Sequence, residues 1–136
     1  MKYLLDTNVL SEVVRKTPSR SVVAKLHTNQ MRCCTSATVW QELLYGVARL
    51  PQGKMKSSLS EYLDSLHEWL TVLPYGQKAA DWHAQERARL EKAGHAPSYA
   101  DGEIAAVAAT SDLVLVTANL RDFRRFRGLS VESWWT

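Results

Sequence analysis

Apolar residues along the chain form short runs and helically spaced sets that alternate with one another. Lys2 to Leu5 is a short apolar run that predicts a buried strand ending at Asp6. A helix predicted to open at Ser19 carries its apolar residues on one face. Met31 to Cys34 then resumes the strand pattern. The first quarter of the chain therefore predicts a strand, a helix and a second strand.

The same alternation continues to the end of the chain. Ser36 and Thr38 can both cap the next helix, which we expect to end near Leu50, and Gln41 stands three residues after Thr38 as in a capping box. The remaining predicted elements are helices near residues 55–70, 77–93, 99–108 and 120–127, and strands near 71–73, 113–117 and 134–135. Strands that alternate with helices of this length predict an α/β fold, with a mostly parallel sheet of four to five strands covered by helices on both faces.

The composition is typical of one compact domain. A chain of 136 residues can bury roughly two thirds of the surface that it exposes when unfolded, so we expect a single domain over residues 1–136. Apolar residues make up 46% and charged residues 23%, and no segment has the composition of a disordered tail. No apolar stretch approaches the roughly 20 residues of a membrane span, and the opening residues lack a secretory signal pattern. We expect a cytoplasmic protein without membrane association.

The cysteines and histidines suggest no metal or disulfide site. Cys33 and Cys34 are adjacent, so neighbours in a strand would point to opposite faces, and we expect small buried thiols. The histidines show no paired ligand spacing, and surface roles are expected for all of them. Arg87 and Arg89 are expected on a solvated helix face. The histidines are His27, His67, His83 and His95.

Four acidic residues fall near the ends of predicted strands. Asp6 ends the first strand, Glu42 lies one to two turns into the helix after the second, Asp101 opens the helix before the fourth, and Asp122 follows the fourth. Functional groups in parallel sheets gather outside the carboxyl ends of the strands, so these acids are predicted to share one crevice. Each also has a purely structural interpretation, as a helix cap, a helix-dipole partner or a solvated surface acid.

A cluster of this kind favours a divalent cation. Carboxylates brought together raise one another's pKa unless a positive charge lies between them. Oxygen ligands without His or Cys suit Mg²⁺ or Mn²⁺ better than zinc. Such an ion polarises a phosphoryl oxygen and lowers the pKa of bound water. The constellation therefore predicts phosphodiester hydrolysis with one or two metal ions.

Four segments, in order, resemble the motifs of PIN-domain toxins of the VapC and FitB kind. They are residues 4–12 (LLDTNVLSE), 38–46 with Glu42, 100–106 with Asp101, and 116–123 with Asp122. The resemblance covers essentially the whole chain. It implies a PIN-like three-layer α/β/α sandwich.

The resemblance also implies roles for individual residues. Asp6 and Asp101 would be the main ligands of Mg²⁺ or Mn²⁺, with Glu42 and Asp122 completing the site directly or through water. The side chains implied to orient this site are Asn8, Thr117 and Asn119. The family cleaves RNA endonucleolytically, so an RNA substrate is implied. A VapB-like antitoxin is the implied protein partner, with its tail across the acidic crevice. A homodimer is the general expectation for such a chain, within a larger toxin–antitoxin assembly where one forms.

Two residues beside Asp101 need separate mention. Gly102 occupies a position where the family more often has a better helix former. A glycine costs a helix little stability in its first turn. Glu103 is either a further ligand or a surface residue.

Arginines bracket the last acid of the constellation. Arg121, Arg124, Arg125 and Arg127 surround Asp122 in a chain of net charge +3. Such a patch attracts a phosphate backbone, so Arg121, Arg124 and Arg125 are predicted to contact RNA. Cations near a helix C-terminus also have a plain structural use.

Other functions remain as alternatives. A catalytically silent RNA-binding or assembly module with this fold would not need all four acids. A phosphatase of the haloacid-dehalogenase kind wants an Asp two residues after Asp6, where this chain has Asn8. A receiver domain would need a lone Asp at a later strand end, and none is present.

Overall fold

The computed structural model describes all residues from Met1 to Thr136. The strands are β1 (Tyr3–Leu5), β2 (Cys33–Ser36), β3 (Thr71–Leu73), β4 (Val114–Val116) and β5 (Ser130–Glu132). The helices are α1 (Thr7–Glu12), α2 (Arg20–Asn29), α3 (Ala37–Ala48), α4 (Lys54–Trp69), α5 (Gln77–Lys92), α6 (Tyr99–Thr110) and α7 (Leu120–Phe123). A 3₁₀ turn over Gln30–Arg32 precedes β2.

The five strands form one parallel sheet in the order β3-β2-β1-β4-β5. Strand β1 lies at the centre and pairs with both β2 and β4. The chain leaves β1 towards β2 on one side and reaches β4 on the other, so the strand order reverses at β1. This reversal opens a crevice at the carboxyl ends of β1 and β4. The predicted α/β architecture with a parallel sheet flanked by helices is confirmed.

The sheet is buried between helices because its strands carry apolar side chains on both faces. All three residues of β1 are buried, as are all four residues of β2. Together with apolar faces of the helices they form a cluster of 27 buried apolar side chains. None of the helices combines the length and the apolar character that a membrane crossing requires.

Two predicted strands were misplaced, and one of the two predicted caps of the helix after β2 is confirmed. The second strand begins at Cys33 rather than Met31, whose side chain is exposed at the 3₁₀ turn. Ser36, not Thr38, caps α3, because its Oγ accepts a hydrogen bond from the Val39 N–H at 3.2 Å. The last strand is Ser130–Glu132 and ends before the tryptophans.

The burial of two polar residues also differs from prediction. His83 is only 4% exposed, so its expected surface role was wrong. Arg89 does not lie on a solvated face, because its guanidinium binds the Glu86 carboxylate and the Arg125 carbonyl. The expectation for the cysteines is confirmed, since both thiols are buried and burial raises their pKa to about 12 for Cys33 and about 11 for Cys34.

Candidate active site

Asp6 lies where the central strand gives way to a helix. Its N–H continues the sheet by donating to the Val116 carbonyl of β4 at 3.0 Å. Its side chain is 6% exposed, and its Oδ1 accepts from the Thr7 N–H at 2.7 Å at the start of α1. The carboxylate is therefore both the cap of a helix and a nearly buried acid at the crevice.

Hydrogen bonds from the neighbouring strand end hold this carboxylate. Thr117, directly after β4, donates its hydroxyl to Asp6 Oδ2 at 2.8 Å, and Asn8 Nδ2 donates to the same oxygen at 3.2 Å. Asn8 Oδ1 accepts from the Ala118 N–H, and Thr117 Oγ1 accepts from the Asn119 N–H. These bonds link α1 to the segment after β4 and leave the carboxylate little freedom to rotate.

Glu42 reaches the crevice from α3. It is half-buried, and its Oε1 accepts the Thr7 hydroxyl at 2.6 Å. Since Thr7 follows Asp6 directly, this bond ties the position of Glu42 to the end of β1.

Asp101 enters from the N-terminal turn of α6. Ser98 caps this helix, with its Oγ accepting from the Asp101 N–H at 3.1 Å. Asp101 is half-buried, and Ser98 is the one side chain whose hydrogen bonding acts on its carboxyl, so most of its acceptor capacity is unused. Its oxygens are therefore available to a ligand.

Asp122 sits in the short helix α7 and is exposed. Its Oδ2 accepts from Asn119 Nδ2 at 3.1 Å. The predicted orienting residues Asn8, Thr117 and Asn119 thus form one hydrogen-bonded chain between Asp6 and Asp122.

The pKa shifts show that the acids influence one another. Burial raises the pKa of Asp101, and the charges of Asp6, Asp122 and Glu42 raise it further. The pKa of Asp6 is also raised, mainly by burial and in part by the charge of Glu42, while the Thr117 and Thr7 hydrogen bonds oppose the rise. No lysine or arginine forms an ion pair with any of these four acids. The crevice therefore holds concentrated negative charge that forms no direct ion pair with a protein cation.

The four acids share the crevice, but their side chains do not form a complete set of metal ligands. No group of three or more His, Cys, Asp and Glu side chains stands in an arrangement that could hold a metal ion. Both carboxylate oxygens of Asp6 accept hydrogen bonds, and Glu42 accepts one from the Thr7 hydroxyl. A small hard ion that keeps several waters needs only one or two direct carboxylates, so the crevice matches that coordination better than a full protein cage.

The arginines predicted to contact RNA lie next to the acids. Arg121 and Arg124 are exposed and Arg125 is half-buried, and none of the three forms an ion pair. Their charges are thus free for a ligand.

Sequence reasoning missed two residues that support the site. Thr7 was assigned no role at the site, yet its hydroxyl donates a hydrogen bond to Glu42. Ser98 precedes α6, and its cap bond reaches the Asp101 backbone itself. Position directly beside a candidate acid was the available signal for Thr7. Glu103, left open between ligand and surface, is half-buried and accepts from Thr38 Oγ1 at 3.3 Å.

The chain is similar to several known proteins. It is 33% identical over 134 residues to the ribonuclease VapC2 of Haemophilus influenzae, covering 98% of each chain. It is 31% identical over 134 residues to the tRNA(fMet)-specific endonuclease VapC of Shigella flexneri, again covering 98% of each. Such names support a nuclease.

Solved structures agree with the sequence relatives. The crystal structure of FitAcB from Neisseria gonorrhoeae superimposes with a TM-score of 0.90 at 35% identity, covering 98% of each chain. The structural matches are VapBC and FitAB toxin–antitoxin complexes. The family model for the PIN domain matches residues 3–129. The chain therefore belongs to the PIN-domain family, among relatives that are VapC and FitB ribonuclease toxins.

Proposed function

We propose that this chain is an endoribonuclease toxin that depends on Mg²⁺ or Mn²⁺ and hydrolyses RNA at the acidic crevice. One observation carries the proposal. Asp6, Glu42, Asp101 and Asp122 come from four separate parts of the chain, yet lie near enough for the other three charges to raise the pKa of Asp101. The names of the VapC relatives support RNA as the substrate class.

The donor set of the crevice fits a hard divalent cation. All candidate ligands are carboxylate oxygens, and none of them forms an ion pair with a protein cation. Asp6 and Asp101, whose pKa values are raised mainly by burial and further by the neighbouring acids, would hold the ion directly. Glu42 and Asp122 would act directly or through water. A bound ion of this kind polarises a phosphoryl oxygen and lowers the pKa of a bound water.

The chain's own side chains would orient the site and attract the substrate. Asn8, Thr117 and Asn119 fix the carboxylates through the bonds that link Asp6 to Asp122. Thr7 holds Glu42 in place. The positive charges of Arg121, Arg124 and Arg125 would draw the phosphate backbone of RNA towards the acids. The arginines offset the repulsion that the crevice alone would exert on a polyanion.

The test is cleavage of RNA by the purified chain in Mg²⁺ or Mn²⁺. We expect Asp6→Asn and Asp101→Asn each to lower the rate by at least about a hundredfold, because each removes a charged ligand. Asp81→Asn, on an exposed part of α5, is the matched control and should cleave like the wild type. Cleavage that continues undiminished in EDTA would contradict the proposal, and a folded chain that cuts no RNA would support a catalytically silent module instead.

We further propose a VapB-like antitoxin as the protein partner, and a homodimer that can enter a larger toxin–antitoxin assembly. Support comes from the structural matches, which are complexes of toxins with VapB or FitA antitoxins and DNA. Expression of this chain should arrest growth, and co-expression of the neighbouring antitoxin gene should restore it. Arrest that Asp101→Asn does not relieve would contradict a toxin that acts by cleavage.

A further inference from the structure

A cavity of about 240 Å³ opens beside two residues of the acid cluster, Asp101 and Asp122. Asp101 and Asp122 form its edge, so it is continuous with the proposed site of cleavage. Leu90 of α5 and Phe126, just after α7, give it an apolar floor. Both floor residues are more than nine-tenths buried and belong to the main core. We name this space the α5–α7 cavity.

Two cationic or polar side chains lining the cavity have no partner in the protein. Arg125 is half-buried, yet its guanidinium makes no hydrogen bond and no ion pair. His95, in the loop after α5, lines the same space, and its ring makes no hydrogen bond. Both side chains are therefore free to bind a ligand that enters the cavity.

The wall that carries Arg125 is held firmly in place. Arg89 Nη2 donates to the Arg125 carbonyl at 2.8 Å, and Glu86 Oε1 accepts from the Arg127 N–H at 2.7 Å. Glu86 and Arg89 also bind each other through two hydrogen bonds. The backbone around Arg125 is therefore fixed to α5, while its side chain is left free.

We infer that the α5–α7 cavity binds one nucleotide of the RNA next to the bond that is cut, an inference that rests on the proposed nuclease function. A nucleotide joins a flat, largely apolar base to an anionic phosphate. The cavity offers Leu90 and Phe126 to the base and Arg125 and His95 to the phosphate and sugar. A small free anion in this space would face Asp101 and Asp122 as well as Arg125. An RNA chain avoids that conflict because it can place a neutral base inside and keep its phosphates at the rim.

The experiment uses a labelled single-stranded oligoribonucleotide and a set of copies in which one abasic nucleotide is moved along the chain. Cleavage is measured in Mn²⁺, and binding is measured separately in EDTA. For the wild type, one abasic position adjacent to the cut should lower kcat/KM and affinity about tenfold or more, because the base contact is lost. The abasic nucleotide at other positions should have a smaller effect.

Variants then test whether the cavity causes the preference for an oligonucleotide with the intact base over its abasic copy. Ala96→Phe fills the space from its exposed rim and should reduce the preference for the intact base to about twofold or less, whereas Ala96→Ser should keep it. Arg125→Gln should weaken binding of the intact oligonucleotide more than Arg124→Gln, which removes the same charge outside the cavity.

The outcomes separate this inference from the nuclease proposal. The cavity assignment is wrong if RNA is cleaved but no abasic position lowers the rate. It is also wrong if Ala96→Phe keeps the full preference for the intact base. Either outcome leaves the nuclease proposal unaffected. Base preference in binding without any cleavage supports the cavity and overturns the nuclease. If Ala96→Phe weakens antitoxin binding and leaves RNA preference intact, the cavity docks protein and the inference is wrong.

Discussion

Gly102 illustrates how a single position can mislead when only its own segment is considered. In the sequence it is a poor helix former next to Asp101, where the family usually has a better one. In the structure, a Cβ on Gly102 would overlap the ring of His83. His83 is buried, its Nδ1 is 2.9 Å from the Tyr75 hydroxyl, and its Nε2 has no partner. The glycine lets α5 pack closely against the helix that presents Asp101.

We expect Gly102→Ala to lower the free energy of unfolding by about 1–3 kcal/mol, because overpacking outweighs the gain in helix propensity. Urea unfolding at neutral pH measures this. Gly46→Ala in α3 is the matched control, since nothing lies within 4 Å of its new Cβ, and it should stabilise the protein by up to about 1 kcal/mol. In the His83→Ala background, Gly102→Ala should cost much less free energy of unfolding than in the wild type. If the effects of the two substitutions are additive, the contact between them is disproved.

Helix α5 shows what periodicity alone leaves undecided about an element. Its two ion pairs look alike in the sequence, as Glu86 with Arg89 and Arg87 with Glu91. The first is largely buried and also binds the segment after α7, whereas the second is exposed. The sequence correctly predicted this helix near residues 77–93, and it ends at Lys92, shortly before Gly94, where φ is +80°. It could not predict that Arg89 faces another part of the chain, because that depends on what packs there.

Glu86→Ala should lower the free energy of unfolding by about 1.5–3 kcal/mol, since it leaves the Arg127 N–H and the Arg89 guanidinium without their acceptor. Glu91→Ala, which removes the exposed pair, should cost no more than about 0.5 kcal/mol. Thermal unfolding of both variants gives the comparison, and equal losses would show that the buried pair does not anchor the segment after α7 to α5.

The sheet order assembles the acid cluster from distant segments. Because β1 lies between β2 and β4, Asp6 and Thr117 become neighbours although they are 111 residues apart in the chain. The same order places α3 and α6 where Glu42 and Asp101 approach the end of β1. This assembly concentrates negative charge, which the fold tolerates at a cost in stability.

Because of that cost, we expect Asp101→Asn to make the folded protein more stable, by an amount that depends on pH. The folded-state pKa of Asp101 is raised above 3.8, so its charge destabilises the metal-free protein at neutral pH, and this penalty fades as pH falls through the raised pKa. Asp101→Asn should therefore unfold at a higher temperature than the wild type at pH 7, with the difference shrinking towards pH 4. Mg²⁺ should raise the melting temperature of the wild type more than that of the variant. A variant less stable than the wild type at pH 7 would contradict the charge argument.

Local sequence was sufficient for most of the elements, for the parallel α/β architecture and for choosing Asp6, Glu42, Asp101 and Asp122 as candidates, but it misplaced the last strand. Strand runs, helix periodicity and caps depend on residues a few positions apart, so they can be recognised along the chain. The motif order pointed to the PIN-domain family, which the comparisons confirm. Tertiary structure alone decided the Thr7–Glu42 bond, the packing of His83 on Gly102 and the cavity beside Arg125. These depend on contacts between segments far apart in sequence, and the order of the strands determines which segments meet.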